Sequence, residues 1–202
     1  MAKIKLTKTQ KKAEQDALRQ YQRFLPTLQL KKQQLLLELR QSADRLEAAR
    51  EAFERENERL AVFAGLFGDA KLAAEVASRV HITAVKRGEM NIAGITVPTF
   101  EDVEFAGSHG DLFVDDIAVE DCIEALKTVI RNREAYAILE EQHRLLAGEL
   151  ATTTQRVNLF EKVKIPETLE NIRKITIYLS DQDTAAVVRS KIAKNKNPEV
   201  AA

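Results

Sequence analysis

The feature that most constrains this chain is an apolar seam that can be counted. Positions 18, 21, 25, 28, 32, 35, 39, 42, 46, 49, 53, 56, 60, 63 and 67 alternate steps of three and four, and twelve of the fifteen are apolar. Only Lys32, Ser42 and Glu56 interrupt it. A 3.5-residue repeat sustained over seven heptads keeps one stripe of a helix turned towards a partner helix, which is the pattern of a coiled coil. Charged residues such as Arg40, Asp44, Glu47, Arg50, Glu54 and Arg55 lie between the seam positions and suit a solvated face. Pro26 falls inside the pattern, where it removes a backbone donor and crowds the preceding turn, so a kink or a helix restart is expected there. Gly65 and Gly68 close the run.

A second seam fills the C-terminal half. Ile123, Leu126, Ile130 and Ala137 begin it; Leu139, Leu146, Leu150, Val157 and Phe160 continue it after a phase slip; Ile165, Leu169, Ile172, Ile175, Leu179, Val187 and Ile192 carry it on. Its phase is less regular, so the supercoil is expected to be loose, with stutters, and Pro166 predicts a second kink or short break. Each helical stretch is roughly 60–80 residues, or about 90–120 Å at 1.5 Å per residue. Two such helices joined by one return bury their seams on each other only if they run antiparallel. The expected fold is mainly α: a rod made of a long antiparallel two-helix coiled coil, with a small β-hairpin or short-helix tip in mid-chain. The divisions expected are residues 1–68 as the N-terminal helix, 69–117 as the tip, 118–194 as the C-terminal helix and 195–202 as a disordered tail.

The return has a different texture. Val80-His81-Ile82-Thr83-Ala84-Val85 alternates with β-branched residues, and Lys86-Arg87-Gly88-Glu89 reads as a turn. Ile92, Ile95, Val97 and Phe100 form a second β-prone run that Pro98 limits to an edge, and Gly107-Ser108-His109-Gly110 reads as a loop. A hairpin of this size needs packing on the helices to be stable.

Charge narrows the function classes. The chain has 31 Lys+Arg against 31 Asp+Glu, so it lacks the basic excess of a nucleic-acid binder. That balance hides a bipolar distribution. Residues 1–12 carry five Lys and no acid; residues 189–196 carry Arg189, Lys191, Lys194 and Lys196 and no acid. Residues 98–124 hold nine Asp and Glu with no Lys or Arg. In an antiparallel hairpin the basic termini meet at one end and the acidic block lies at the other, which suits two different binding surfaces. A single cysteine, Cys122, excludes an internal disulfide and fits a reducing, cytoplasmic setting. The apolar run Ala61–Phe67 falls far short of the ~20 residues of a membrane span, so no direct membrane insertion is expected, and the lysine-rich start lacks the apolar core of a signal peptide.

No catalytic constellation is present in the sequence. Ser108, His109 and Asp111 are the residue types of a hydrolytic triad, but neighbours on one loop rarely converge that way. His81, His109 and His143 show no metal-ligand spacing. Cys122 lies among Glu120, Asp121 and Glu124, which raise a thiol pKa rather than activate it, so a buried or unreactive thiol is expected. No glycine-rich phosphate loop is present, and no cofactor is expected.

Two segments go beyond composition. Thr154-Gln155-Arg156-Val157-Asn158-Leu159-Phe160-Glu161-Lys162-Val163-Lys164-Ile165-Pro166, followed by Leu169-Glu170-Asn171-Ile172, resembles the RVNALE…IP…L…I signature of the D subunits of V-type and archaeal-type rotary ATPases. Asn91-Ile92-Ala93-Gly94-Ile95-Thr96-Val97-Pro98 is similar to the N-[VI]-x-G-V-x-V-P stretch of that family. Leu30-Lys31-Lys32-Gln33-Gln34-Leu35 sits where the family carries a Leu-Lys-x-Lys-Arg-Asp run, with Gln33-Gln34 in place of Arg-Asp, and Leu159-Phe160 replaces the family's Ala-Leu.

The resemblance implies a non-catalytic rotor shaft, part of the central stalk, whose paired termini enter the bore of the hexamer of catalytic A and B subunits. The other end would join the small F subunit of the stalk and the coupling subunit on the membrane ring. The chain would then be cytoplasmic, peripheral to the membrane through the complex. The expected contact residues are Lys8, Lys11, Lys12, Arg189, Lys191 and Lys194 at the paired termini, where long cationic stems allow changeable contacts. Arg156, Asn158 and Glu161 are expected contacts in the signature segment, and Asp115 and Asp116 at the acidic end, facing a basic surface of the membrane-side partner. Asn91 and Gly94 are expected to serve turn geometry, since both tolerate φ > 0. The alternative is a free-standing coiled-coil adaptor or tether, which would have no reason to carry the two motif segments.

Overall fold

A computed structural model describes residues 4–68, 70–106 and 117–196. Helix α1 spans Lys8–Ala61 and is followed by a 3₁₀ stretch, Val62–Gly68; α2 spans Ala70–Arg79. Strands β1 (His81–Ile92) and β2 (Ile95–Ala106) form an antiparallel hairpin. Helix α3 spans Ile117–Leu159, a π turn covers Phe160–Lys164, and α4 spans Ile165–Lys196. The chain divides into two compact units: Met1–Lys32 with Thr152–Ala202, and Gln33–Ala151. The division therefore cuts through α1 just after the seam residue Lys32, rather than separating the helices from the hairpin. Asn195 and Lys196 close α4 rather than opening a tail; residues 197–202 lie outside the described residues.

The N-terminal seam is observed position by position. From Leu18 to Phe63 every counted residue is buried or half-buried, including Lys32, Ser42 and Glu56. Side-chain positions of Leu66 and Phe67 lie outside the described set. Pro26 does not break α1, which continues through it. Thr27 donates its hydroxyl to the Phe24 carbonyl at 2.8 Å beside the proline. The helix start is capped locally: the Thr7 hydroxyl accepts from the Gln10 amide at 3.2 Å, satisfying one of the orphan donors of the first turn.

In the unit of Met1–Lys32 and Thr152–Ala202, α1 and the returning helix run antiparallel. Tyr21 meets Phe160, ring centroids 5.1 Å apart, and seven residues earlier Glu14 accepts from Asn171 Nδ2 at 3.5 Å. Thr153, Val157, Thr168 and Ile175 are buried here. Pro166 acts not through a gap but through the π turn just before it. Ile165 donates its N–H to the Phe160 carbonyl five residues back, and the helix continues without a gap through Pro166, the second residue of α4. Thr168 adds a hydroxyl bond to the Lys164 carbonyl at 2.6 Å.

In the unit of Gln33–Ala151, two apolar clusters hold the helices and the hairpin. One joins Leu35 of α1, Ile92 and Val97 of the hairpin and Leu146 of α3, with Leu39, Leu145 and Leu150 packed against it. The other joins Val76 of α2 to Val119, Cys122 and Ile123 of α3, flanked by Leu60 and Phe63. Lower numbers on α1 meet higher numbers on α3, so these helices too are antiparallel. Each fully buried Leu or Val contributes about 1.5–3 kcal/mol relative to exposure.

The hairpin differs in two ways from the sequence expectation. The turn is at Ala93-Gly94, which connects the paired residues Ile92 and Ile95, while Lys86-Arg87-Gly88-Glu89 lies inside β1. Both loop residues have positive φ, 52° at Ala93 and 82° at Gly94, as the twist-matched two-residue hairpin turn requires. Asn91 serves the turn by accepting the Gly94 amide on Oδ1 at 3.0 Å. The second difference is where the turn goes. It packs on Leu35, which is 26 residues before the end of α1 at Ala61, about 39 Å back along that helix. The hairpin lies along the helices of its unit instead of standing beyond them.

Candidate partner-binding surfaces

Three of the expected contact residues come together. Lys8, Lys11 and Lys12 line an open groove of about 790 Å³ with Arg19 on α1 and with Thr176, Ser180 and Thr184 on α4. Helical periodicity explains the grouping, because residues four and seven apart share a face. Arg19 belongs to this surface although the sequence reading missed it; continuation of the Lys8–Lys12 stripe by seven residues was the available signal. Asp16 lies 3.7 Å from the Arg19 guanidinium.

Arg189, Lys191 and Lys194 are exposed on the last turns of α4 and do not line that groove. From Ser180 to Lys196 no residue of α4 is buried, and Val187, Val188 and Ile192 are exposed apolar side chains among these cations. Arg156, Asn158 and Glu161 are all exposed. Their apolar neighbours Leu159 and Val163 are exposed as well, while Val157 is buried. The π turn starts between Asn158 and Glu161, so the signature segment coincides with the one place, among the described residues, where the long C-terminal helix changes its hydrogen-bond step. Asp115, Asp116 and residues 107–111 lie outside the described residues.

The family-like segment 91–98 is held to α3 and α1. Gln142, itself buried, donates Nε2 to the Pro98 carbonyl at 2.6 Å, so Pro98 acts as an acceptor where it cannot act as a donor. Arg87 approaches Glu141 at 3.8 Å and Arg131 approaches Asp102 at 3.3 Å. The Arg131 guanidinium also lies 5.2 Å from the Phe105 ring centroid, within cation–π range. Across the hairpin, Lys86 and Glu104 pair at 2.7 Å, and the Glu104 carboxylate holds the Lys86 ammonium above the usual lysine range. Gly88 leaves room for Glu101: a Cβ there would stand 2.6 Å from Glu101 Oε1.

Cys122 is fully buried in the α2–α3 cluster. Its thiol is pushed up by burial, not by the neighbouring carboxylates. His81 is exposed at the start of β1 and His143 is half-buried on α3. Among the described residues no group of three or more His, Cys, Asp or Glu is placed to hold a metal ion, and no described helix is long and apolar enough to cross a membrane.

What these surfaces define is a helical chain with antiparallel seams and exposed basic and apolar faces. Comparison with known proteins places that architecture. The family of ATP synthase D subunits matches residues 10–195, and the chain belongs to that family. It is 43% identical to the V-type ATP synthase D subunit of Borreliella burgdorferi over 195 residues, covering 96% of this chain and 95% of the relative. Identity to the V-type ATP synthase D subunit of Chlamydia felis is 32% over 96% of this chain and 94% of the relative. For that of Chlamydia trachomatis serovar L2 it is 34%, covering 96% of each.

Proposed function

We propose that this chain is the central rotor shaft of a V-type or archaeal-type ATPase, carrying torque between the catalytic A and B hexamer and the membrane ion-translocating ring. The observation that carries the reading is the family match over residues 10–195 on a chain whose seam is occupied residue by residue from Leu18 to Phe63. Torque needs helices that resist unwinding against each other, and an apolar stripe over many turns supplies that resistance. The chain does no chemistry of its own in this reading: ATP is turned over on the A and B subunits, and the shaft is non-catalytic. The same full-length match favours the shaft over a free-standing adaptor, as does the pair of motif segments.

Partners follow from the surfaces. The basic faces of α1 and α4 meet the catalytic hexamer, where Lys8, Lys11, Lys12, Arg189, Lys191 and Lys194 make contacts that form and release as the shaft turns. The small F subunit of the stalk and the ring-coupling subunit bind elsewhere on the chain, with Arg156, Asn158, Glu161, Asp115 and Asp116 as the residues to test. The location is the cytoplasmic face of the membrane, held through the complex. Affinity recovery of the tagged chain from its own cell, followed by an ATPase assay, tests this. An ATP-hydrolysing complex that co-elutes is expected; a chain recovered with no nucleotide-hydrolysing partner would overturn the reading.

A further inference from the structure

The lysines of the α1–α4 groove are poised for an anion that the described residues do not supply. No carboxylate among the described residues lies within ion-pair distance of Lys8, Lys11 or Lys12. Their groove holds four cations against two carboxylates, Asp16 and Asp183, and Asp16 is already engaged by Arg19. Lys8, Lys12 and Arg19 fall at four- and seven-residue steps on one face of α1, a stripe about 16 Å long. Across the groove Thr176 and Thr184 spend their hydroxyl protons on the carbonyls of Ile172 and Ser180, at 2.7 and 2.9 Å. Ser180 lines the same groove with no such hydroxyl bond, and is the spare hydroxyl.

We infer that this groove docks an extended acidic peptide segment of a neighbouring subunit, with acidic residues at alternate positions. Spacing is the argument. Lys8 and Lys12 are about 6 Å apart along the helix axis, and alternate side chains of an extended strand are about 6.6 Å apart on one side. Two carboxylates at alternate positions of an extended segment therefore match Lys8 and Lys12, while Arg19, about 10 Å beyond Lys12 and paired with Asp16, stands outside that register. A compact anion such as phosphate would engage one end of the stripe and leave the rest uncompensated. This deepens the shaft reading and rests on it only for the source of the peptide.

The test titrates the full chain with a fluorescein-labelled eight-residue peptide bearing Glu at alternate positions, read by anisotropy at low salt. Its Gln analogue serves as the neutral control. The acidic peptide is expected to bind at least tenfold more tightly than the analogue. The variant K8Q/K11Q/K12Q is expected to weaken it tenfold or more at unchanged helical circular dichroism. The variant R40Q/R55Q/K162Q removes the same charge at exposed positions outside the groove, and is expected to change binding less than twofold. Equal weakening in both variants would overturn the inference in favour of diffuse charge attraction, as would displacement of the peptide by equimolar inorganic tripolyphosphate. Recovery of the unaltered chain with an ATPase is scored separately. Peptide binding without an ATPase sinks the shaft reading and keeps the groove; an ATPase without groove-dependent peptide binding does the reverse.

Discussion

Replacing Leu146 by Ala tests how the hairpin is held. Leu146 is fully buried between Leu35 of α1 and the hairpin residues Ile92 and Val97. Truncation removes apolar contact and leaves a void, and core Leu→Ala changes cost about 2–5 kcal/mol depending on how far the site collapses. Here three elements border the side chain, and the hairpin turn is pinned beside it by the Gln142–Pro98 bond, so collapse is restricted and about 3–4 kcal/mol is expected. For a chain of this size that lowers the thermal midpoint by about 6–16 °C. Leu37→Ala, one face away and 58% exposed, is expected to cost less than about 1 kcal/mol. Thermal unfolding by circular dichroism gives the first readout and amide hydrogen exchange the second. The amides of residues 91–97 should lose protection in L146A while those of α4 keep it. A loss below about 1 kcal/mol with unchanged exchange at the hairpin would refute the claim that this cluster anchors it.

Gly94→Ala meets open space but places a Cβ at φ 82°, so it should cost about 1–2 kcal/mol of pure backbone strain in a urea titration. Gly88→Ala, whose Cβ would stand 2.6 Å from Glu101 Oε1 and 2.7 Å from Thr99 Oγ1, must displace both side chains and should cost about 1–3 kcal/mol in the same measurement. Gln142→Ala strands the Pro98 carbonyl, and a loss of about 1–3 kcal/mol is expected, with faster exchange along β2 as its signature. Burial raises the Cys122 thiol, so the folded state prefers the neutral form: its contribution to stability is complete below the unfolded thiol value of about 8.5 and is lost as pH rises above it. C122A should flatten that alkaline decline in urea midpoints, and an unchanged slope would mean another group sets it.

Much of the helical fold was legible because a seam is a one-dimensional pattern. Its polar members were legible too: Glu56 sits half-buried in the seam yet reaches Arg59 at 3.0 Å, and Ser42 is buried with its hydroxyl unpartnered among the described residues. Lys86-Arg87-Gly88-Glu89 looks like a turn by composition but lies inside β1, where a Cβ at Gly88 would crowd Glu101 and Thr99, whereas Asn91 and Gly94 serve turn geometry as expected. What the sequence hid at that turn was the part of Ala93, a residue that seldom takes positive φ. The π turn left no periodic trace beyond Pro166, since a single change of hydrogen-bond step is smaller than the noise of an irregular seam. Among the candidate contacts, Lys8, Lys11 and Lys12 were found as a charge run, but the groove that gathers them needs α4, whose facing hydroxyls no local pattern announces. The signature segment was recognisable as a string, while its physical content is a buried Val157, exposed polar neighbours and a widened turn.

That widened turn also bears on how chains of this kind vary in length. A five-residue step between Phe160 and Ile165 is how a helix stores one surplus residue while the segments on either side keep their assigned faces. A single-codon deletion or insertion elsewhere in α3 or α4 would rotate every following seam residue away from α1. Between Phe160 and Lys164 the same event can be absorbed by converting the wide turn to an ordinary one or by widening it further. Natural insertions and deletions within this helix should therefore concentrate at the π turn, marking the segment where the family can change length without changing its seam.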